Sequence, residues 1–148
     1  MADNTIILKD YVGVFLEKNA AEALYPGRMI ELDSNDEVQM HSSAAGVAVP
    51  MFAIEDALQG NGIDDQYASG DPVQTWIPNR GDEVYAILAD GENVSIGDFL
   101  SSAGDGGLQG GTTEPVGVAL EALDLSGSSG EETSGTLGFD KRIKVRIL

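Results

Sequence analysis

The chain has 148 residues, 42 % of them hydrophobic, with a mean hydropathy of −0.08, the size and balance of one globular domain. It has no cysteine, which excludes disulfides, thiol chemistry and cysteine-ligated metals. With 25 Asp and Glu against eight Lys and Arg, the net charge of −17 repels phosphate backbones and anionic lipid, so neither direct nucleic-acid binding nor membrane binding is expected.

Met1-Ala2-Asp3-Asn4 lacks the basic start and apolar run of a signal peptide. No apolar run is long enough for a membrane helix. A soluble protein is expected. The acidic balance suits a salt-rich cytoplasm as well as an ordinary hydrated surface. The charge is unevenly placed: Lys141, Arg142, Lys144 and Arg146 fall in the last eight positions, which contain no acid.

In chain order, Ile6-Ile7-Leu8 and Val14-Phe15-Leu16 are short apolar runs separated by Lys9 to Gly13. Glycine and β-branched residues favour extended segments over one helix. Asn19 to Leu24 suits a helical turn, ended by Pro26-Gly27. Residues 1–24 read either as an N-terminal arm that docks on another surface or as ordinary first strands. Met29 to Leu32, the turn formers Asp33-Ser34-Asn35-Asp36, and Val38 to Met40 make a hairpin signature. Ala48 to Ile54 is mainly apolar, with Pro50 marking a strand start, an edge or a bulge. A short helix is expected over 54–58 and a loop over 59–65.

Strands are expected at Val73 to Ile77, Glu83 to Leu88, and Val94 to Ile96 after the Asp90-Gly91 turn. Ser101 to Thr113 is rich in Gly, Ser and Asp, and its glycine stretch 104–111 reads as a flexible loop. Val116 to Leu120 reads as a strand, echoed weakly by Ala45 to Val49. Ser126 to Gly138 reads as an exposed mobile loop. The closing stretch places Ile143, Val145 and Ile147 on one face of a strand and Arg142, Lys144 and Arg146 on the other. Together these predict an all-β fold, a small barrel or sandwich over 25–148, with an extended N-terminal arm over 1–24 and Gly/Ser-rich loops.

The residues offer little for catalysis. His41 is the only histidine and has no obvious triad partners. Asp33 to Glu37 begins like a calcium loop, but Val38 and Ala44 stand where a glycine and a bidentate acid are needed. The glycines of 104–111 lack the Lys-Ser/Thr of a phosphate cradle. No catalytic residue, metal or cofactor is assigned, and a non-enzyme is expected. Trp76, the only tryptophan, suits either a core position or an interface anchor.

A resemblance sharpens this reading. Ala45-Gly46-Val47-Ala48-Val49-Pro50, Tyr67 to Thr75, Arg80 to Ala86, Ser95-Ile96-Gly97-Asp98-Phe99-Leu100, Glu114 to Ala122 and the basic last strand follow one another in order. Over residues 26–148 this order resembles the small β-barrel decoration, or cement, proteins of tailed bacterial and archaeal viruses. The stretch 126–138 is longer than the pattern.

The resemblance implies a structural virion protein, made in the host cytoplasm. It would bind the outside of the expanded capsid, bridge major capsid proteins and stabilise the head, commonly as a homotrimer. Candidate contacts with the capsid or between subunits are Ile6, Ile7, Leu8, Tyr11, Val14, Phe15, Trp76, Arg142, Lys144 and Arg146. The alternatives are a lipoyl- or biotinyl-like carrier, which needs a lysine at a hairpin tip, and a small metal- or sugar-binding barrel enzyme. The four lysines are Lys9, Lys18, Lys141 and Lys144.

Overall fold

A computed structural model describes residues 4–127 and 141–148. Among them run thirteen short strands, one 3-10 turn at Ala57–Gln59 and no α-helix. In chain order the strands are β1 (Ile7–Lys9), β2 (Val14–Asn19), β3 (Ile30–Leu32), β4 (Val38–Met40), β5 (Phe52–Ala53), β6 (Pro72–Ile77) and β7 (Glu83–Leu88). They continue with β8 (Asn93–Val94), β9 (Phe99–Ser102), β10 (Leu108–Gly110), β11 (Gly117–Ala119), β12 (Leu123–Asp124) and β13 (Lys141–Ile147).

Five strands close on themselves in the order β7-β10-β9-β11-β13, and β13 pairs back onto β7 to complete a barrel. Strand β1 is an additional stave on β7. The β7–β10 contact is parallel and the other pairings of this sheet are antiparallel. The expected alternation explains the closure. Val84, Ala86 and Leu88 of β7 and Ile143, Val145 and Ile147 of β13 fill one core with Leu100, Leu108 and Ala119. Gly117 sits where β11 passes over β13. A Cβ there would lie 2.4 Å from Val145 Cγ1 and 2.9 Å from the Arg146 carbonyl oxygen, so only glycine fits the approach.

The N–H groups along one edge of β7 and just past its end are divided among three acceptors. Tyr85 N–H bonds the Ile6 carbonyl, Ile87 N–H the Gly27 carbonyl, and Ala89 N–H the Leu108 carbonyl. Pro26-Gly27 therefore crosses the outside of the barrel and covers Ile87, which is fully buried. Gly27 has φ 97°, a left-handed value suited to glycine.

A second sheet, β2-β6-β5, forms a wall between two cores. Phe52 and Trp76 face the barrel core. Ala53 and Val73 on the opposite face belong to a smaller core with Ala20, Leu24, Ile30, Val38, Met51 and Tyr67. The expected hairpin, β3–β4, caps this smaller core, with Ile30 opposite Met40 and Leu32 opposite Val38. Asp33 Oδ1 accepts the N–H groups of Asn35 and Glu37 across the hairpin turn, and Asp36 takes φ 61° there. This acid cluster is an Asx-type turn.

Several local expectations are corrected. From Ile6 onward, the segment expected as an arm or as first strands supplies strands: β1 pairs with β7 and β2 with β6. Asn19 to Leu24 forms no helical turn; Ala20 bridges Val38 and Leu24 bridges Tyr67. The short helix lies at Ala57–Gln59 rather than 54–58. The stretch 104–111 is not a loop throughout: Leu108–Gly110 is β10, which forms a hairpin with β9, and Ser101, Ser102 and Leu108 are buried. Ala45 to Val49 is not a strand, and Val47 and Val49 face solvent. The expected loop 126–138 lies outside the described residues from 128 onward.

Candidate functional site

The largest break in the pattern of burial falls at residues 11–15. Tyr11 is 91 % exposed, and Val12, Val14 and Phe15 are each more than half exposed. Single exposed apolar residues are ordinary, but four within five positions are not. Their backbone context adds to this. Strand β2 is the edge of its sheet, with β6 on one side and no strand along the other among the described residues. An open edge with apolar side chains is a template for a further strand.

The register explains why Phe15 emerges. Phe15 lies opposite Trp76, and Trp76 opposite Phe52, so the three rings share one face of the sheet. Phe52 and Trp76 are fully buried in the barrel core, whereas Phe15 at the edge stays 56 % exposed. The aromatic row of the core thus runs out to the surface.

The loop before β2 is held in place. Buried Asp82 accepts Tyr11 N–H on Oδ1 at 3.1 Å and Asn79 N–H on Oδ2 at 2.8 Å. The Asn79 side-chain amide donates to the Val12 carbonyl. Gly13 lies against the Trp76 ring, where a Cβ would clash with Nε1 at 2.2 Å. Tyr11 and Val12 are therefore displayed by a pinned loop. Sequence reading missed Asp82 and Val12; the only signal for Asp82 was its place in the Arg80-Gly81-Asp82 turn.

The other candidate contacts divide. Ile6 is fully buried in the barrel core, and Ile7 and Leu8 are half-buried on β1. Trp76 is fully buried. Ile6 and Trp76 are thus core residues, not surface anchors: Ile6, just before β1, and Trp76, on β6, both pack into the barrel core. Arg142 is likewise engaged within the chain. It donates to the Pro26 carbonyl, to the Ile63 carbonyl and to Asp64 Oδ1 at 2.9 Å, with only 7 % of its side chain exposed. Arg146 stands more open and meets Glu83 at 3.5 Å, which also faces Lys9 at 3.4 Å. Lys144 is half-buried, and its backbone N–H donates to Glu121. Lys9, Lys18 and Lys144 lie within strands and Lys141 begins β13; none occupies the hairpin tip that a lipoyl-type carrier needs.

His41 is buried between the hairpin and the barrel. Its Nδ1 lies 2.7 Å from Ser102 Oγ and its Nε2 3.2 Å from the Val47 carbonyl. The carbonyl can only accept, which assigns the proton to Nε2 in the neutral ring and makes Ser102 the donor to Nδ1. Glu31 Oε2 stands 3.8 Å away. Burial raises the Glu31 carboxyl, but hydrogen bonds from Ser42 and Gln39 and the nearby imidazole outweigh it and hold it below its ordinary value. The group joins Glu31 on β3, His41 just after β4 and Ser102 on β9, and Ser102 is fully buried.

A polar groove lies on the far side of the β2–β6 sheet edge, lined by Glu17, Asp56, Asn61, Asp65, Asp71 and Gln74. Tyr67 sits at its floor and donates to the Ile54 carbonyl at 2.6 Å. Burial, with help from Asp56, Glu55 and Glu17, pushes its phenol up to about 12. Among the described residues, no group of three or more His, Asp or Glu is placed to hold a metal ion. No protein-family model matches the chain, and no curated protein matches it.

Proposed function

We propose that this chain is a structural decoration protein of a tailed-virus capsid, binding the outer surface of the expanded head and bridging major capsid proteins. The observation that carries the reading is the apolar, open edge formed by Val14 and Phe15 on β2 and by Tyr11 and Val12 in the pinned loop before it. The barrel is closed on itself, whereas β2 in the neighbouring sheet has no strand along its outer edge among the described residues. A capsid-protein strand or loop laid along it would gain backbone hydrogen bonds and cover the exposed rings. Repeated over a lattice, many modest contacts stabilise a shell strongly, since each copy binds only the assembled geometry. The acidic surface keeps the protein clear of the packaged nucleic acid. Self-association, as a homotrimer, belongs to the same reading, and Arg146 with its partner Glu83 is placed on the outer barrel face to take part.

The test is co-sedimentation with expanded, undecorated capsids, compared with free capsid subunits. Binding to capsids alone, with a raised thermal disruption point, is expected. Saturating protein that neither sediments with the shells nor shifts that point would overturn the reading. Light-scattering mass in low and multimolar salt separates a stable trimer from a monomer and shows whether salt drives assembly.

A further inference from the structure

We propose that Asn61-Gly62 is a self-modification site, at which Asn61 is converted to aspartyl and isoaspartyl forms with Asp65 as the proton acceptor. Succinimide formation needs a nucleophilic backbone nitrogen after the asparagine, room for ring closure and a route for the amide proton. All three are present here. Of the six asparagines, only Asn61 precedes glycine, so no side chain shields the nitrogen. A Cβ placed on Gly62 would meet only Asp65 Oδ2, at 3.8 Å. The Gly62 N–H points at that same carboxylate oxygen, with N to Oδ2 at 2.7 Å, within the reach that general-base transfer requires.

The surrounding loop holds this geometry while leaving the reacting side chain free. Asn61 N–H is tied to the Asp56 carbonyl at 3.1 Å and Asp65 N–H to the Gly62 carbonyl at 3.2 Å. Arg142 fixes the next two residues through the Ile63 carbonyl and Asp64. The Asn61 amide is exposed and has no hydrogen-bond partner among the described residues.

The step balances without an added oxidant or reductant. Asp65 takes the Gly62 amide proton as the nitrogen attacks Asn61 Cγ. The new C–N bond closes the ring, and the old C–NH2 bond breaks, releasing ammonia with the proton returned. Water then opens the succinimide at either carbonyl. The product adds one negative charge to a groove already lined by Glu17, Asp56, Asp65 and Asp71.

The experiment is peptide mapping by mass spectrometry of the whole protein during storage at neutral pH, separating aspartyl from isoaspartyl product. Wild type is compared with Asp65→Asn, which keeps an acceptor oxygen but not its basicity. Conversion confined to Asn61 and slowed roughly tenfold or more in Asp65→Asn is expected, a low figure for a positioned base. Gly62→Ala, with circular dichroism to confirm folding, should slow it further. An unchanged or faster rate in Asp65→Asn, or equal conversion at Asn35 and Asn93, would overturn the proposal.

Discussion

Strands β13 and β2 are similar in length, yet they end in opposite situations. β13 is paired on both edges, by β7 and β11, and its three apolar residues point into the barrel. Among the described residues β2 is paired on one edge only, and it shows Val14 and Phe15 to solvent. Their apolar patterns differ, a period-two row in β13 and a Val14-Phe15-Leu16 run in β2, but pattern alone does not say which edges find a partner. What separates them is whether the backbone groups on the second edge have a partner within the chain. A strand saturated on both sides contributes stability; one left half-saturated is available for recognition.

The largest expected effect tests whether the wall behind β2 is as structural as the barrel itself. Trp76→Ala should cost about 3–5 kcal/mol, as for other buried large-to-small changes, read from the midpoint of denaturant unfolding. A loss within the noise would mean that the β2 sheet is an appendage, and the comparison with β13 would fail.

Gly117→Ala comes next. The added Cβ has nowhere to go between Val145 and the Arg146 backbone, so a loss of about 1–3 kcal/mol is expected. An unperturbed variant would show that β11 does not close tightly on β13.

Arg142→Ala removes the donor shared by the Pro26 and Ile63 carbonyls and should cost about 1–3 kcal/mol, largely insensitive to salt because the side chain is buried. A salt-dependent loss would instead mark an exposed ion pair.

A smaller, pH-dependent effect distinguishes the second core. The Tyr67 phenol is raised from 10.0 to about 12 by burial and neighbouring acids. Its contribution is therefore fully present below pH 10, where both states are protonated. It is lost as pH rises toward 12, because the unfolded chain ionises first. Tyr67→Phe should flatten the fall of stability through that window in alkaline melts; an identical slope would contradict the assignment.

The smallest change in stability should accompany the largest change in assembly. Phe15→Asp alters a side chain more than half exposed and should shift stability by about 0.5 kcal/mol or less, while abolishing capsid co-sedimentation. Retained binding would remove β2 from the proposed interface.

Much of the barrel was legible from residues alone, for reasons visible in it. Glu83 to Leu88 and Arg142 to Leu148 carry apolar residues at period two, and the turn formers after Leu32 separate two matched runs. The β9–β10 hairpin was not legible. Ser101, Ser102, Gln109 and Gly110 are weak strand formers set around a Gly-rich connection, and they are strand here through pairing with β7 and β11, which are distant in sequence. Ala45 to Val49 misled in the opposite sense. Its valines alternate as a buried strand would, but face solvent with no sheet partner. The apolar run at Val14 and Phe15 was visible as a candidate contact. That Trp76 lies behind it as core, and that Asp82 pins the loop in front, depends on long-range register that local pattern does not encode.

The shared wall between the cores has a consequence for how the molecule melts. Neither core can lose the β2-β6-β5 sheet without exposing the other, so the two should not unfold separately. The chain carries its own reporters for this. Trp76 fluorescence reads the barrel side, and tyrosine absorbance in a chain with Tyr11, Tyr25 and Tyr85 replaced by Phe reads Tyr67 on the opposite side. Coincident transitions by the two signals would mean that a strand docked on β2 steadies both halves at once, so that tension at a single lattice contact is borne by the entire domain.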